Sequence, residues 1–383
     1  MQDRRSAALP PVRSGNSFPR LLINVRKLEH NARLMVEEFA AAGITVMGVN
    51  KVFNGLSETA EAVVRGGIQT IAESRIANLK KLAGLPVTKC LLRSPAPSEV
   101  DDTVRFSDLS LESEESVLRA LSAAAVRQNR THEVMLMIDM GDLREGIWHE
   151  DRPSILRALD LITTLPGLNL YGLGTNFNCY GTLLPTRENG LQFVTLAREL
   201  EAARNIRFPY LSGGNCTSHY LLRHGLWPEG INHLRVGGTH EFGIEYVNVE
   251  YLEGYYHSSM DVKRVCSDLY LLQAEVIETN VKPTCPVGKL GRDAFLQTKT
   301  FVDRGPRRRA LLAVGRQDIP HENLWPCDPG ITVLGQTSDH TLIDTQDAVQ
   351  PPEVGEIVSF QLDYTGLLHA CNAPGIEKVV THD

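Results

Sequence analysis

Five short stretches carry side chains able to do chemistry, and each follows an apolar run. The first is Gly48-Val49-Asn50-Lys51, continuing Val52-Phe53-Asn54-Gly55. A lysine just past an apolar strand sits where partial desolvation favours the neutral amine, which suits an imine-forming group. Read alone, it also fits a lysine snorkelling at a strand end. The second is Asp139-Met140-Gly141-Asp142-Leu143-Arg144-Glu145-Gly146. Glycines around Asp and Arg make a loop that presents a guanidinium to an oxyanion, or an ordinary charged turn. In the third, Gly174-Thr175-Asn176-Phe177-Asn178-Cys179, two Asn and one aromatic frame a ring or form a turn. The fourth, Leu211-Ser212-Gly213-Gly214-Asn215-Cys216-Thr217-Ser218, exposes backbone N–H groups and hydroxyls ahead of a helix through Tyr220–Leu222. That is the chemistry of a phosphate cradle, and equally of a simple helix cap. The fifth, Leu234-Arg235-Val236-Gly237-Gly238-Thr239, adds an Arg and two more backbone donors.

The elements that must position these groups alternate. Apolar runs Leu21–Val25, Ile44–Val49, Ile68–Ala72, Val87–Leu92, Asp108–Leu111, Val134–Ile138, Leu168–Gly174 and Pro209–Ser212 read as strands. Segments of helical period lie between most of them, notably Arg26–Ala41, Glu58–Arg65, Glu114–Ala125, Pro153–Thr163 and Gly190–Arg204. Serial β-α order implies parallel strands, and roughly eight such units in some 220 residues point to a closed (β/α)8 barrel. Reactive groups then sit beyond the C-terminal strand ends, with a phosphate site at the last two loops. No G-x-G-x-x-G follows an early strand, and no P-loop, H-E-x-x-H or G-x-S-x-G occurs. Past residue 255 come short strand-like runs: Leu269–Ile277, Arg309–Val314, Ile331–Leu334, Thr341–Asp344 and Ile357–Asp363. Pro, Gly and Asp clusters separate them and helical periods are missing, so a β domain is expected. The expected division is a flexible tail over 1–18, a barrel over 19–254 and a C-terminal β domain over 255–383.

Composition narrows the class. Of 383 residues, 46 are acidic and 39 basic, a net charge of −7 that gives no drive toward nucleic acid or an anionic membrane. Residues 1–18 hold no apolar core of signal-peptide length, and no apolar run approaches the roughly 20 residues that span a bilayer. Seven cysteines lie singly with no C-x-x-C pair. A disulfide framework or bound metal is not expected, and a reducing cytoplasm is.

From about Leu21 to the C-terminus the chain resembles the pyridoxal-phosphate enzymes of the alanine racemase family, most closely the ornithine racemase branch. Leu22-Ile23-Asn24-Val25-Arg26-Lys27-Leu28-Glu29-His30-Asn31 is similar to the family's first strand and helix. The resemblance gives Lys51 the Schiff-base role. It places Arg144 near the cofactor's phenolic oxygen and Asn176 beside the ring, where alanine racemases usually carry a His. It makes Asn215, Cys216, Thr217 and Ser218 the phosphate loop, with Cys216 replacing a Ser, and adds Gly237 and Gly238 as phosphate contacts. Arg235 would face the pyridine nitrogen. An Arg stays charged, so it shares no proton with that nitrogen and restrains the cofactor as an electron sink. Val314-Gly315-Arg316-Gln317-Asp318 and Val333-Leu334-Gly335-Gln336-Thr337-Ser338-Asp339-His340 resemble the family's most recognisable C-terminal strands.

The resemblance implies a homodimer in which one subunit's β domain covers the partner's barrel and supplies a second acid/base to the opposite face of the substrate. Alanine racemases use a Tyr there. The matching stretch, Pro286-Val287-Gly288-Lys289-Leu290-Gly291-Arg292-Asp293-Ala294-Phe295, has none. Asp293 aligns with that position, with Cys285 nearby. Loss of the Tyr and of the ring-side His points away from alanine. Asp339, Asp293 or Asp363 can pair a cationic side chain, and Tyr364 lines the same pocket. The expected activity is two-base racemisation of a free amino acid, a basic one such as ornithine or lysine. The alternatives are a 3-hydroxy amino acid aldolase (His369 and Cys371 lie close together), a decarboxylase, a non-catalytic carrier of the cofactor, and a barrel enzyme for phosphate-bearing substrates.

Overall fold

The computed structural model describes residues 17–252, 255–257 and 264–382. Its first strand is β1 (Arg20–Asn24), followed by β2 (Thr45–Val49), β3 (Thr70–Glu73), β4 (Thr88–Leu91), β5 (Leu109–Glu112) and β6 (His132–Asp139). A two-residue β7 (Ile147–Trp148) precedes β8 (Leu168–Thr175), β9 (Tyr210–Gly213) and β10 (His233–Val236). Eight of these run parallel in the cyclic order β5-β4-β3-β2-β10-β9-β8-β6, and β5 pairs β6 to close the barrel. The helices are α1 (Val25–Ala41), α2 (Ser57–Arg65), α3 (Ile76–Lys81), α4 (Val100–Phe106), α5 (Glu115–Arg127), α6 (Arg152–Thr164), α7 (Arg187–Arg204), α8 (His219–Arg223) and α9 (Gly238–Phe242).

Side-chain alternation builds the barrel's two layers. Met47, Val49, Ala72, Cys90, Leu109, Leu111, Met135 and Met137 form one buried cluster across neighbouring strands, the barrel interior. The intervening Val134, Leu136 and Ile138 pack outward against Leu118 and Leu121 of α5 and Ile155 and Leu159 of α6. Truncating such a side chain, as in Leu136→Ala, costs about 2–5 kcal/mol. Helix α1 buries Val25, Leu28, Ala32, Met35 and Phe39 on one stripe, and the Asn24 side chain caps it by accepting from Lys27 N–H at 3.0 Å.

Two findings differ from the sequence reading. First, β1 is no barrel strand. The barrel closes β10 directly onto β2, which leaves no free edge there, and β1 pairs instead with two strands of the C-terminal sheet. Lys51 therefore follows the first barrel strand, not the second. Second, the compact unit holding the barrel is built on Ile23–Leu269, and the other joins the chain before Ile23 to Tyr270–Val379. Side chains of α1 hold the stretch before Tyr270: Asn31 Nδ2 donates to the Cys266 carbonyl at 2.9 Å, Cys266 N–H donates back at 2.8 Å, and Lys27 pairs Asp268 at 2.8 Å.

The second unit is a sheet. After a small ladder of β11 (Glu250–Leu252) and β12 (Tyr255–His257), it comprises β13 (Tyr270–Pro283), β14 (Pro306–Leu312), β15 (Leu324–Pro326), β16 (Thr332–Gln336), β17 (Thr341–Asp344), β18 (Ile357–Leu362) and β19 (Glu377–Thr381). Its path β15-β18-β13-β14-β17-β16 is antiparallel, and β1 and β19 join beside β13. It also holds a helix, α10 (Tyr364–Asn372), started by Asp363, whose carboxylate accepts from Gly366 N–H at 2.7 Å.

Candidate active site

Because Met47 and Val49 face the barrel interior, the chain leaves β2 with its next alternate residue, Lys51, at the mouth. Lys51 opens a single helical turn, Lys51–Phe53, which ends at Asn54 and Gly55, both with positive φ. Gly55 is required: a Cβ there would lie 2.9 Å from the Asn78 Cα. The strands on either side of β2 bring buried carboxyls toward the lysine. Glu73 ends β3 and accepts from Asn50 Nδ2 at 3.4 Å and from Asn78 Nδ2 at 3.0 Å. Burial pushes it up to about 7, against those two amides. Glu241, on α9 after β10, is pushed up to about 8 by burial, while the Lys51 charge draws it back.

Below the mouth lies a buried cation. Arg235 is 4% exposed and donates to Ser212 Oγ at 2.5 Å and to the Thr175 carbonyl at 2.7 Å, which locks its fork. Ser212 also bonds His233 Nδ1 at 2.8 Å. Burial, aided by the Arg235 charge, pushes that imidazole down to about 3, so it is neutral. Gly174 keeps the interior open beside this group. A Cβ there would meet the Met135 and Met137 sulfurs at 2.7 and 2.8 Å.

Asp142, which is 2% exposed, joins the loop after β6 to the loop after β8. Its Oδ2 accepts from Asn176 Nδ2 at 3.4 Å and from the Cys179 and Tyr180 N–H groups at 3.3 Å each, and its Oδ1 accepts from Gly181 N–H at 3.1 Å. In that orientation the Asn176 oxygen accepts from Asn215 Nδ2 at 3.2 Å. With the amide swapped, its oxygen accepts from Arg144 Nη2 at 3.0 Å. Arg144, Asn176 and Asn215 thus share one rim.

The phosphate-type loops also meet. Asn215 Oδ1 accepts from Thr217 N–H at 2.8 Å, and Ser218 Oγ donates to the Gly213 carbonyl at 2.8 Å. Thr217 and Ser218 are both buried. Burial pushes the Cys216 thiol up to about 12, opposed by the Gly238 and Gly237 backbone N–H groups, which point at its sulfur. A Cβ on Gly238 would stand 2.1 Å from Tyr246 Cε2, so only glycine fits.

The remaining expected residues belong to the sheet unit. Asp293 spends its Oδ1 on the Phe295 and Gln297 N–H groups, both at 2.9 Å, and has Lys299 at 3.5 Å. The Gln297 amide in particular holds its carboxyl below the usual range. Asp339 is exposed and accepts from Thr337 Oγ1 at 2.9 Å, with His340 at 3.1 Å. Tyr364 is half-buried at the first turn of α10. On that helix Cys371 is buried and His369 exposed, so the two face different sides. Among the described residues no group of three or more His, Cys, Asp or Glu is placed to hold a metal ion.

Sequence reasoning gave no role to Asp142, Ser212, His233, Glu73 or Glu241. For Ser212, His233 and Glu73 the signal was a polar residue within a short strand, which becomes informative once strand parity is known; Asp142 and Glu241, in a loop and in α9, carried no such signal.

The sequence pattern of the alanine racemase N-terminal domain matches residues 23–240 of this chain. The chain belongs to the alanine racemase family. Within it, the chain is 37% identical to the lysine racemase of Thermotoga maritima, covering 94% of this chain and 98% of the relative. It is 34% identical to the ornithine racemase of Acetoanaerobium sticklandii, covering 94% and 99%. The fold matches a solved alanine racemase of Clostridium difficile with a TM-score of 0.71 over 97% of both chains at 14% identity, so the architecture persists where the sequence has drifted.

Proposed function

We propose that this protein is an amino acid racemase that inverts Cα of a free basic amino acid, lysine or ornithine, with pyridoxal phosphate held at the barrel mouth. The observation that carries the reading is the near-full-length relatedness to a lysine racemase and an ornithine racemase.

The residues present fit the cofactor. A strand-end lysine stands at the mouth, and a locked guanidinium lies in the interior. Gly174 clears the space beside it, and the Gly237 and Gly238 amides converge at Cys216 as donors suited to an anion. Lys51 would hold the cofactor, the loops at Asn215–Ser218 and Gly237–Gly238 its phosphate, Arg235 its ring nitrogen, and Arg144 and Asn176 its ring edge. When bound, pyridoxal phosphate supplies the sink for the electron pair left at Cα.

The chain's own groups do the rest. Lys51 Nζ takes or returns the α-proton on one face of the substrate. Arg235, fixed by Ser212 and Thr175, would offer the ring nitrogen a positive charge without giving up a proton. Asp293 of a second copy is the proposed group for the other face, so the protein acts as a homodimer. Loop hydrogen bonds keep its carboxylate ionised and weaken it as a base, so the substrate contact would have to raise its affinity for the proton. Asp339 and Tyr364 are proposed to meet the substrate from the same unit.

Cytoplasm is the proposed location. The seven cysteines are free, and no helix among the described residues is long and apolar enough to cross a membrane.

The test is a panel of L-amino acids in deuterated water, read for α-deuterium and for D-enantiomer. Lysine and ornithine should exchange and invert. Lys51→Ala should lose both the cofactor's imine absorbance and the exchange. Asp293→Asn should exchange the α-proton of one enantiomer only. Exchange by Lys51→Ala at the wild-type rate refutes the reading. Glycine and acetaldehyde from threonine would replace it with an aldolase.

A further inference from the structure

Recognition of a basic side chain needs an ionised carboxylate at the mouth with lone pairs to spare. Three carboxylates lie from the last residue of β6 to the start of β7. Asp139 Oδ1 is taken by the Gly141 and Leu143 N–H groups at 2.8 and 3.1 Å. Asp142 is buried under four donors. Glu145 differs: its side chain is 25% exposed and it pairs with the neighbouring Arg144.

The backbone is shaped to put those two side chains together. Adjacent residues ordinarily diverge, but here Leu143 at φ +58° and Gly146 at φ +122° bracket the pair. A Cβ on Gly146 would strike the Asp139 nitrogen at 2.5 Å, so the turn demands glycine. Arg144 lays its fork on both carboxylate oxygens, Nη2 on Oε1 at 2.5 Å and Nε on Oε2. A carboxylate offers about four lone-pair sites, so a bidentate Arg leaves about half of them. Arg144 Nη2 also lies 3.0 Å from the Asn176 amide group, which puts the pair on the rim of the cofactor loops. The Glu145 charge is the foremost one supporting the buried Arg235 cation. In the sheet unit, by contrast, Asp293, Asp339 and Asp363 each accept from their own loop.

We propose that Glu145 is a specificity-determining residue that receives the side-chain ammonium of a basic substrate, while Arg144 holds it in place. This rests on the racemase reading above. A charge-assisted hydrogen bond from an ammonium changes affinity by about tenfold to a hundredfold.

The experiment compares wild-type holoenzyme with Glu145→Gln on L-ornithine, L-lysine and L-norleucine. It also measures binding of 1,4-diaminobutane and n-butylamine to both proteins by calorimetry. The expected result is a fall of about thirtyfold in kcat/KM for ornithine and lysine, carried by KM, with norleucine falling less than threefold. The wild-type preference for the diamine over the monoamine should shrink by about tenfold or more, with Glu145→Asp restoring part of it. Equal losses on all three amino acids, or an unchanged diamine preference, overturn the proposal. If wild type exchanges the α-proton of no amino acid, the racemase reading fails instead, and the diamine arm still tests Glu145.

Discussion

Asp142→Asn is a near-isosteric change at the point where two rim loops meet. Asn keeps one oxygen. Placed at the Oδ2 position it retains the Asn176, Cys179 and Tyr180 donors and sets its NH2 against the Gly181 N–H; placed at Oδ1 it keeps Gly181 alone. In the better case one bond becomes a donor–donor contact, and three lose their charge assistance. A bond to a charged acceptor contributes about 1.5–3 kcal/mol against about 0.5–1.5 kcal/mol for a neutral one. These bonds are 3.1–3.4 Å long, so the lower ends apply. With three losses of about 1 kcal/mol and one of about 1.5 kcal/mol the sum is about 4–5 kcal/mol, and Asp142→Ala, which strands all four donors, should cost at least as much. Urea unfolding of the barrel, followed by far-ultraviolet circular dichroism, reads this directly. Asn176 and Arg144 share the rim, so pyridoxal-phosphate affinity should fall by about tenfold as well. A loss below about 0.5 kcal/mol would refute the idea that Asp142 ties these loops together.

Three further outcomes follow from the geometry. Gly238→Ala puts a methyl 2.1 Å from Tyr246 Cε2 and should cost about 1–3 kcal/mol by overpacking, with weaker cofactor uptake seen by absorbance titration. Burial pushes Glu112 up to about 8 from 4.5. The folded state therefore keeps a proton that the unfolded chain sheds, and stability falls as pH rises from 4.5 through 8. His132, pushed down to about 4, works in the opposite sense only below its ordinary 6.5. Denaturation at pH 6.5 and pH 8 should accordingly show a smaller loss in Glu112→Gln than in wild type; equal losses would contradict it. Finally, exposed Cys179 should be alkylated by iodoacetamide at pH 8 at least about tenfold faster than Cys216, read by peptide mass spectrometry, since the thiolate is the nucleophile.

Much of the architecture was legible from periodicity. Strands with runs such as Val134–Ile138 and helices with a stripe such as Leu28 and Phe39 are long and regular enough to declare themselves. Helices α4 and α10 were not, being 7 and 9 residues long with few apolar positions on one face. The origin of β1 was hidden for a different reason. Its apolar pattern suits either a barrel or an antiparallel sheet, and only the closure of β10 on β2 excludes the first.

The site divides the same way. Sequence alone determined that Lys51, Arg144, Asn176, the Asn215–Ser218 loop and Arg235 with its two glycines stand at ends of strands. Local chemistry suffices for that: an apolar run that stops, then a polar or glycine-rich turn. The tertiary structure decided which groups act on one another. Asp142 gathers donors 34 to 39 residues away, and Arg235 reaches Thr175 across 60 residues. Such pairings arise because a closed parallel barrel carries the ends of sequentially remote strands to one rim. No local pattern in the chain encodes that closure.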